Sequence, residues 1–138
     1  MPSRSRPKRR VAPKPPDPAH VLIIDVGGSH IKFRMGSRGA IRRFVSGPKM
    51  TAAGMAREVR KLARDLPYEA VSIGYPGLVL RGRIAAEPYN LGSGWVGYDF
   101  EKTLGRPVRV INDATMQALG SYEGGRMLFL GLGTGLGA

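Results

Sequence analysis

At 138 residues the chain has the length of one domain and, at 42% apolar, enough to bury a core, with no apolar run long enough to span a bilayer. It has no cysteine, which excludes disulfides and thiolate metal sites, and its basic first residues lack the apolar stretch of a secretory signal, so a cytoplasmic protein is expected. Against 10 Asp and Glu stand 22 Lys and Arg, a net charge of +12 that attracts polyanions without telling nucleotide, polyphosphate and nucleic acid apart.

In chain order, residues 1–19 come first, rich in proline and in Arg4, Arg6, Lys8, Arg9, Arg10 and Lys14. With almost nothing apolar to bury, this tail is expected to be disordered. From His20 a short apolar run, Val21 to Ile24, predicts a buried strand that ends in Asp25 and breaks on Gly27 and Gly28. Ile31, Phe33 and Met35 then alternate with Lys32 and Arg34, as in a half-buried strand, and Ala40 to Val45 predicts a third. A helix is expected from Thr51 to Leu66, capped by Thr51, with Met55, Val59, Leu62 and Leu66 on one face and Pro67 at its end. Ala70 to Gly74 predicts another buried strand, closing on "GYPG", followed by a hairpin around Arg81-Gly82 and a glycine-rich loop. Tyr98 to Leu104 reads as a short helix, "PVRVIND" as a strand, "ATMQALGSYEGG" as a helix, and "RMLFLGLGTG" as a strand running into a glycine turn. The order β-β-β-α-β-(hairpin)-α-β-α-β predicts an α/β domain with a mixed sheet.

Three stretches can carry chemistry. Gly27 and Gly28 open the backbone to an anion because no Cβ blocks its approach; Ser29 adds a hydroxyl, Lys32 a nearby charge, and Asp25 a carboxylate able to serve a metal. The structural alternative is a Gly-Gly hairpin whose Asp caps its own turn. Asp113, between a strand and a helix, is either an N-cap or a general base that takes the proton of an attacking hydroxyl. "GLGTGLGA", Gly131 to Ala138, can cradle phosphate; its Gly133, Gly135 and Ala138 also imitate a dinucleotide fingerprint, a weak match on its own. There is no Walker loop, and His20 and His30 have no ligand-like spacing to each other or to a carboxylate pair.

Taken together and in order, "DVGGSHIK", "GYPG", "PYNLGSGW", "INDA" and "LGLGTGLG" resemble the motifs of the ROK family of sugar kinases and sugar-responsive repressors. That family lies in the actin-like ATPase superfamily, with a ribonuclease-H-like fold, and the resemblance runs from Val21 to Gly137. It implies a phosphotransferase of carbohydrate metabolism, a hexokinase-type enzyme that moves a phosphoryl group from ATP or polyphosphate to a hexose hydroxyl. Glucose is the expected sugar, ATP the default donor, and Mg²⁺ the cofactor. By position, Asp25, Gly27, Gly28, Ser29 and Lys32 match the first phosphate motif, with Ser29 where the family usually has Thr, and Asp25 serves Mg²⁺, directly or through water. Gly133, Thr134 and Gly135 match the second phosphate motif. Asp113 matches the catalytic base and, with Asn112 beside it, a contact to the sugar hydroxyls, and Gly77 and Asn90 match positions lining the sugar pocket.

The chain lacks the Glu-x-Gly-His motif that completes the family's sugar site, and the cysteine-rich zinc loop of many members. The expectation is a first domain over residues 20–138, truncated at the second phosphate motif and weakly active or inactive alone. A homodimer is possible, as is usual in the family; a membrane is not expected, and nucleic acid only through the basic tail. The alternative is a sugar-responsive regulatory or non-catalytic half-protein.

Overall fold

A computed structural model of the chain describes residues 12–126, 131–132 and 136–137. The expectations for residues 1–11, for the strand over 127–130, for Gly133, Thr134 and Gly135, and for Ala138 lie outside the described residues.

The first three strands, β1 (Val21–Val26), β2 (His30–Met35) and β3 (Arg42–Val45), form an antiparallel meander. Helix α1 (Ala52–Leu62) then carries the chain back to β4 (Ala70–Tyr75), which lies parallel to β1 on its other side. A hairpin of β5 (Val79–Leu80) and β6 (Arg83–Ile84) follows, and then α2 (Phe100–Leu104) leads to β7 (Val108–Asn112), parallel to β4. Helix α3 (Asp113–Gly120) starts directly from the end of β7. The main sheet is therefore mixed, in the order β3-β2-β1-β4-β7. A two-residue pair, β8 (Gly131–Leu132) and β9 (Leu136–Gly137), lies apart from that sheet.

Strand alternation sorts the residues onto two faces. Leu22, Ile24 and Val26 stand opposite Val71, Ile73 and their neighbours on one face, with Ile31, Phe33, Tyr75 and Val110, and all of these are buried. Helices α1 and α2 pack against each other, and their apolar residues, Met55, Ala56, Val59, Phe100 and Leu104, join this core. The opposite face carries Ile23, Asp25, Lys32, Ser72, Gly74 and Ile111, and here α3 packs against β4 and β7. The polar residues of the first strands thus share a face with α3, away from the main core.

Helix α1 begins as its sequence predicts, with the Thr51 hydroxyl accepting the Gly54 amide at 3.0 Å. It ends at Leu62, four residues before the expected stop. The Arg42 guanidinium takes the Leu62 carbonyl, the acceptor that Leu66 would need to continue the helix, and grips both oxygens of Asp65 at 2.6 Å. The Leu66 amide turns instead to Ala63, and Pro67 disfavours helical geometry just before it. Helix α2 likewise starts later than Tyr98, because the Asp99 side chain caps it through the Lys102 amide at 3.0 Å; helix α3 stops at Gly120. The hairpin turn falls on Arg81 and Gly82, both at positive φ (51° and 75°), as a tight two-residue connection requires.

Candidate functional site

The two parallel pairings align the carboxyl ends of β1, β4 and β7: Asp25 is opposite Gly74, Gly74 opposite Ile111, and Tyr75 opposite Asn112. Each strand is followed there by a sequence-predicted element of the site. The edge beyond the carboxyl ends of parallel strands is where open α/β sheets place their ligands.

Between β1 and β2 the turn is tight. The Gly27 amide donates to the His30 carbonyl at 3.1 Å, and a Cβ on Gly27 would lie 2.6 Å from that same oxygen. One of the two amides expected to face an anion is therefore used inside the hairpin. Those of Gly28 and Ser29 donate to no protein group among the described residues. Ser46, at the end of β3, braces the turn from behind: its hydroxyl donates to the Gly27 carbonyl at 2.7 Å and its amide to the Ser29 carbonyl at 3.0 Å. Nothing in the sequence signals Ser46, because its partners lie at the far end of another strand.

Asp25 is partly buried opposite Lys32 in the β1–β2 register. Burial pushes its carboxyl above the usual carboxylate range, the negative charge of Asp113 pushes it further, and Lys32 opposes both. Asp25 and Asp113, 88 positions apart by number, therefore feel each other's charge in the fold. Gly74 lies between them: a Cβ there would sit 2.3 Å from the Met116 methyl and 3.6 Å from the Asp113 Cα.

The cap at the start of α3 falls to Asn112 and not to Asp113. Asn112 is the N-cap of α3, its side-chain oxygen accepting the Thr115 amide at 3.3 Å while its amide group donates to the Gly77 carbonyl at 2.9 Å. The cap reading of Asp113 is thus corrected: β7 stops at Asn112, one residue short of the expected strand end, and Asp113 takes the first helical position, its side chain accepting the Ala114 amide at 2.8 Å. Asn112 in turn ties the "GYPG" turn to β7 through Gly77. Asn90, in the loop before α2, comes close to the Gly27–Gly28 turn, since a Cβ on Gly28 would lie 3.2 Å from the Asn90 Cβ. Asp25, Gly28, Ser29, Lys32, Gly77, Asn90, Asn112 and Asp113 are therefore gathered around one edge of the sheet.

Among the described residues, no group of three or more His, Cys, Asp or Glu could hold a metal ion by itself. What the fold offers is a pair of carboxylates, Asp25 and Asp113, one raised by burial and by the charge of the other. Carboxylate oxygens are the ligand type Mg²⁺ takes, so the donor set fits such a cation, which would offset that repulsion.

No protein-family model and no curated protein matches the chain. Among solved structures it is similar to a protein of Cytophaga hutchinsonii assigned to the sugar kinases, at 29% identity and a TM-score of 0.60, over 85% of this chain and 46% of that one. It is also similar to the ROK hexokinase of Thermus thermophilus, at 26% identity and a TM-score of 0.56, over 72% of this chain and 36% of that one. The chain resembles the ROK sugar kinases in its fold as in its motifs. Its mixed sheet with packed helices is their actin-like, ribonuclease-H-like architecture, and it spans less than half the length of either of these two proteins. No helix among the described residues is long and apolar enough to cross a membrane.

Proposed function

We propose that this chain supplies the phosphate turn and the catalytic carboxylate of a hexose kinase. The observation that carries the reading is the meeting of Asp25, Asp113 and the two unengaged turn amides at the carboxyl ends of the parallel strands. Glucose is the expected acceptor, and ATP or polyphosphate the donor; the net charge of +12 suits either polyanion.

In this reading the amides of Gly28 and Ser29, with Lys32, hold donor phosphates, and Gly133, Thr134 and Gly135 form a second phosphate contact. Gly77, Asn90 and Asn112 face the sugar. The Asp113 carboxylate accepts the proton of the sugar hydroxyl as its oxygen bonds to the terminal phosphorus of the donor. The bond from that phosphorus to its bridging oxygen breaks, releasing ADP or a shortened polyphosphate. Mg²⁺ at Asp25, bound directly or through water, would supply positive charge against the phosphate oxygens.

The test is made on the protein as its own cells produce it, with a panel of hexoses and both donors. Asp113→Asn is expected to lower kcat by about 10²- to 10⁴-fold while sugar binding survives. Turnover unaffected by that change would overturn the base assignment. A native protein that binds sugar but transfers no phosphoryl group would instead favour the regulatory reading.

A further inference from the structure

Glu87 lies in the loop between β6 and α2 and has no part in the site as described above. Its two carboxylate oxygens accept the Trp95 amide at 3.2 and 3.1 Å, and one of them also accepts the Val96 amide at 3.1 Å. A carboxylate that takes two successive amides forms charge-assisted bonds and fixes the two limbs of a loop against each other. The far limb is itself rigid, because the Trp95 ring is fully buried, 5.6 Å from Tyr75 and 6.2 Å from Phe100 between ring centres. The Tyr75 hydroxyl meanwhile donates to the Ala86 carbonyl at 2.7 Å, just before Glu87.

Between these anchors stands Asn90, packed at Gly28 of the phosphate turn, with Leu91 buried next to it and the Gly92 amide donating to Met50 at 2.9 Å. We propose that Glu87 is a positioning residue: its carboxylate clamps the 87–96 loop through the Trp95 and Val96 amides and so holds Asn90 in place for the sugar. This rests on the proposed kinase reading. Glu87 touches no substrate in it and acts on sugar affinity through Asn90.

The experiment compares Glu87→Ala and Glu87→Gln with the native protein, in steady-state kinetics and in hydrogen exchange of the Trp95 and Val96 amides. Sugar affinity where turnover is slow is read by titration calorimetry, and the fluorescence of Trp95, the single tryptophan of the chain, checks that its packing is kept in each variant. Glu87→Ala should raise the sugar KM about 10-fold or more, the scale of lost bonds to a charged group, and speed exchange at both amides. The donor KM and kcat should stay within about twofold, since a positioning loss on the sugar side is a loss of binding. Glu87→Gln, which keeps one acceptor oxygen, should fall in between. Unchanged exchange, or faster exchange with an unchanged sugar KM, overturns the proposal. A native protein that neither binds nor phosphorylates any sugar sinks the kinase reading itself, a result distinct from an indifferent Glu87→Ala.

Discussion

Asp25 is held in a state that costs the fold something. Burial and the charge of Asp113 raise its carboxyl above the usual range, so the native state binds a proton there more tightly than the unfolded chain does. Stability from this group is therefore present at low pH and is lost as the pH rises through its folded value. In magnesium-free buffer at neutral pH, Asp25→Asn should raise the melting temperature and weaken magnesium-dependent activity, and the two proteins should converge in acid; a lower melting temperature at neutral pH would contradict this. Asp65 behaves in the opposite way. Its hydrogen bonds with Arg42 bring its carboxyl down to about 2 from 3.8, so its contribution is complete above 3.8 and fades as the pH falls towards 2. Asp65→Asn should flatten the acid limb of a stability–pH curve in that window, and an unchanged limb would show that the contact adds nothing. At this scale the end of β1 and the turn at Gly27 and Gly28 were legible, because two glycines after an apolar run break a strand. The choice between Asn112 and Asp113 as cap was not, since both can cap and only the length of β7, set by pairing with β4, decides. Neither was the loss of the Gly27 amide to His30, which depends on how tightly the hairpin closes.

Elements were legible wherever one period ran unopposed: the alternation of β2, the apolar face of α1, and the Arg81-Gly82 turn. The end of α1 was misjudged because the contact made just past it, from Arg42 on β3 to the Leu62 carbonyl and Asp65, leaves no mark within the helix's own sequence. Glycines that allow elements to meet give a comparison at this scale. A methyl on Gly74 would strike only the far end of Met116, which can swing aside, whereas a methyl on Gly92 would meet the backbone of Lys49 and Met50 at 3.0 Å. Gly92→Ala should therefore cost about 1–3 kcal/mol in chemical denaturation, an overpacking cost with no flexible neighbour to absorb it. Gly74→Ala should cost clearly less, and the reverse order would show that α3 is held more rigidly than Met116 suggests.

For the whole molecule, composition and element order predicted a mixed α/β sheet, but not the strand order, which depends on where each crossover returns the chain. That order places β1 between an antiparallel neighbour next to it in sequence and a parallel one reached only after β3 and α1. The two pairings differ in the loop that must close before they can form, and short closures come first. Hairpins form in about 1–10 μs, so the β1-β2-β3 meander is expected to be structured in the folding transition state and β7 to dock afterwards. Phe33→Leu should then mainly slow folding and Val110→Ala mainly speed unfolding, as read from the two arms of a chevron plot; the opposite partition would reverse the order. Synthesis runs the same way. As the chain leaves the ribosome, the Gly27–Gly28 turn can close on Ser46 while Asn112 and Asp113 are still untranslated, so the first of the proposed phosphate contacts takes shape before the carboxylate that would use it exists.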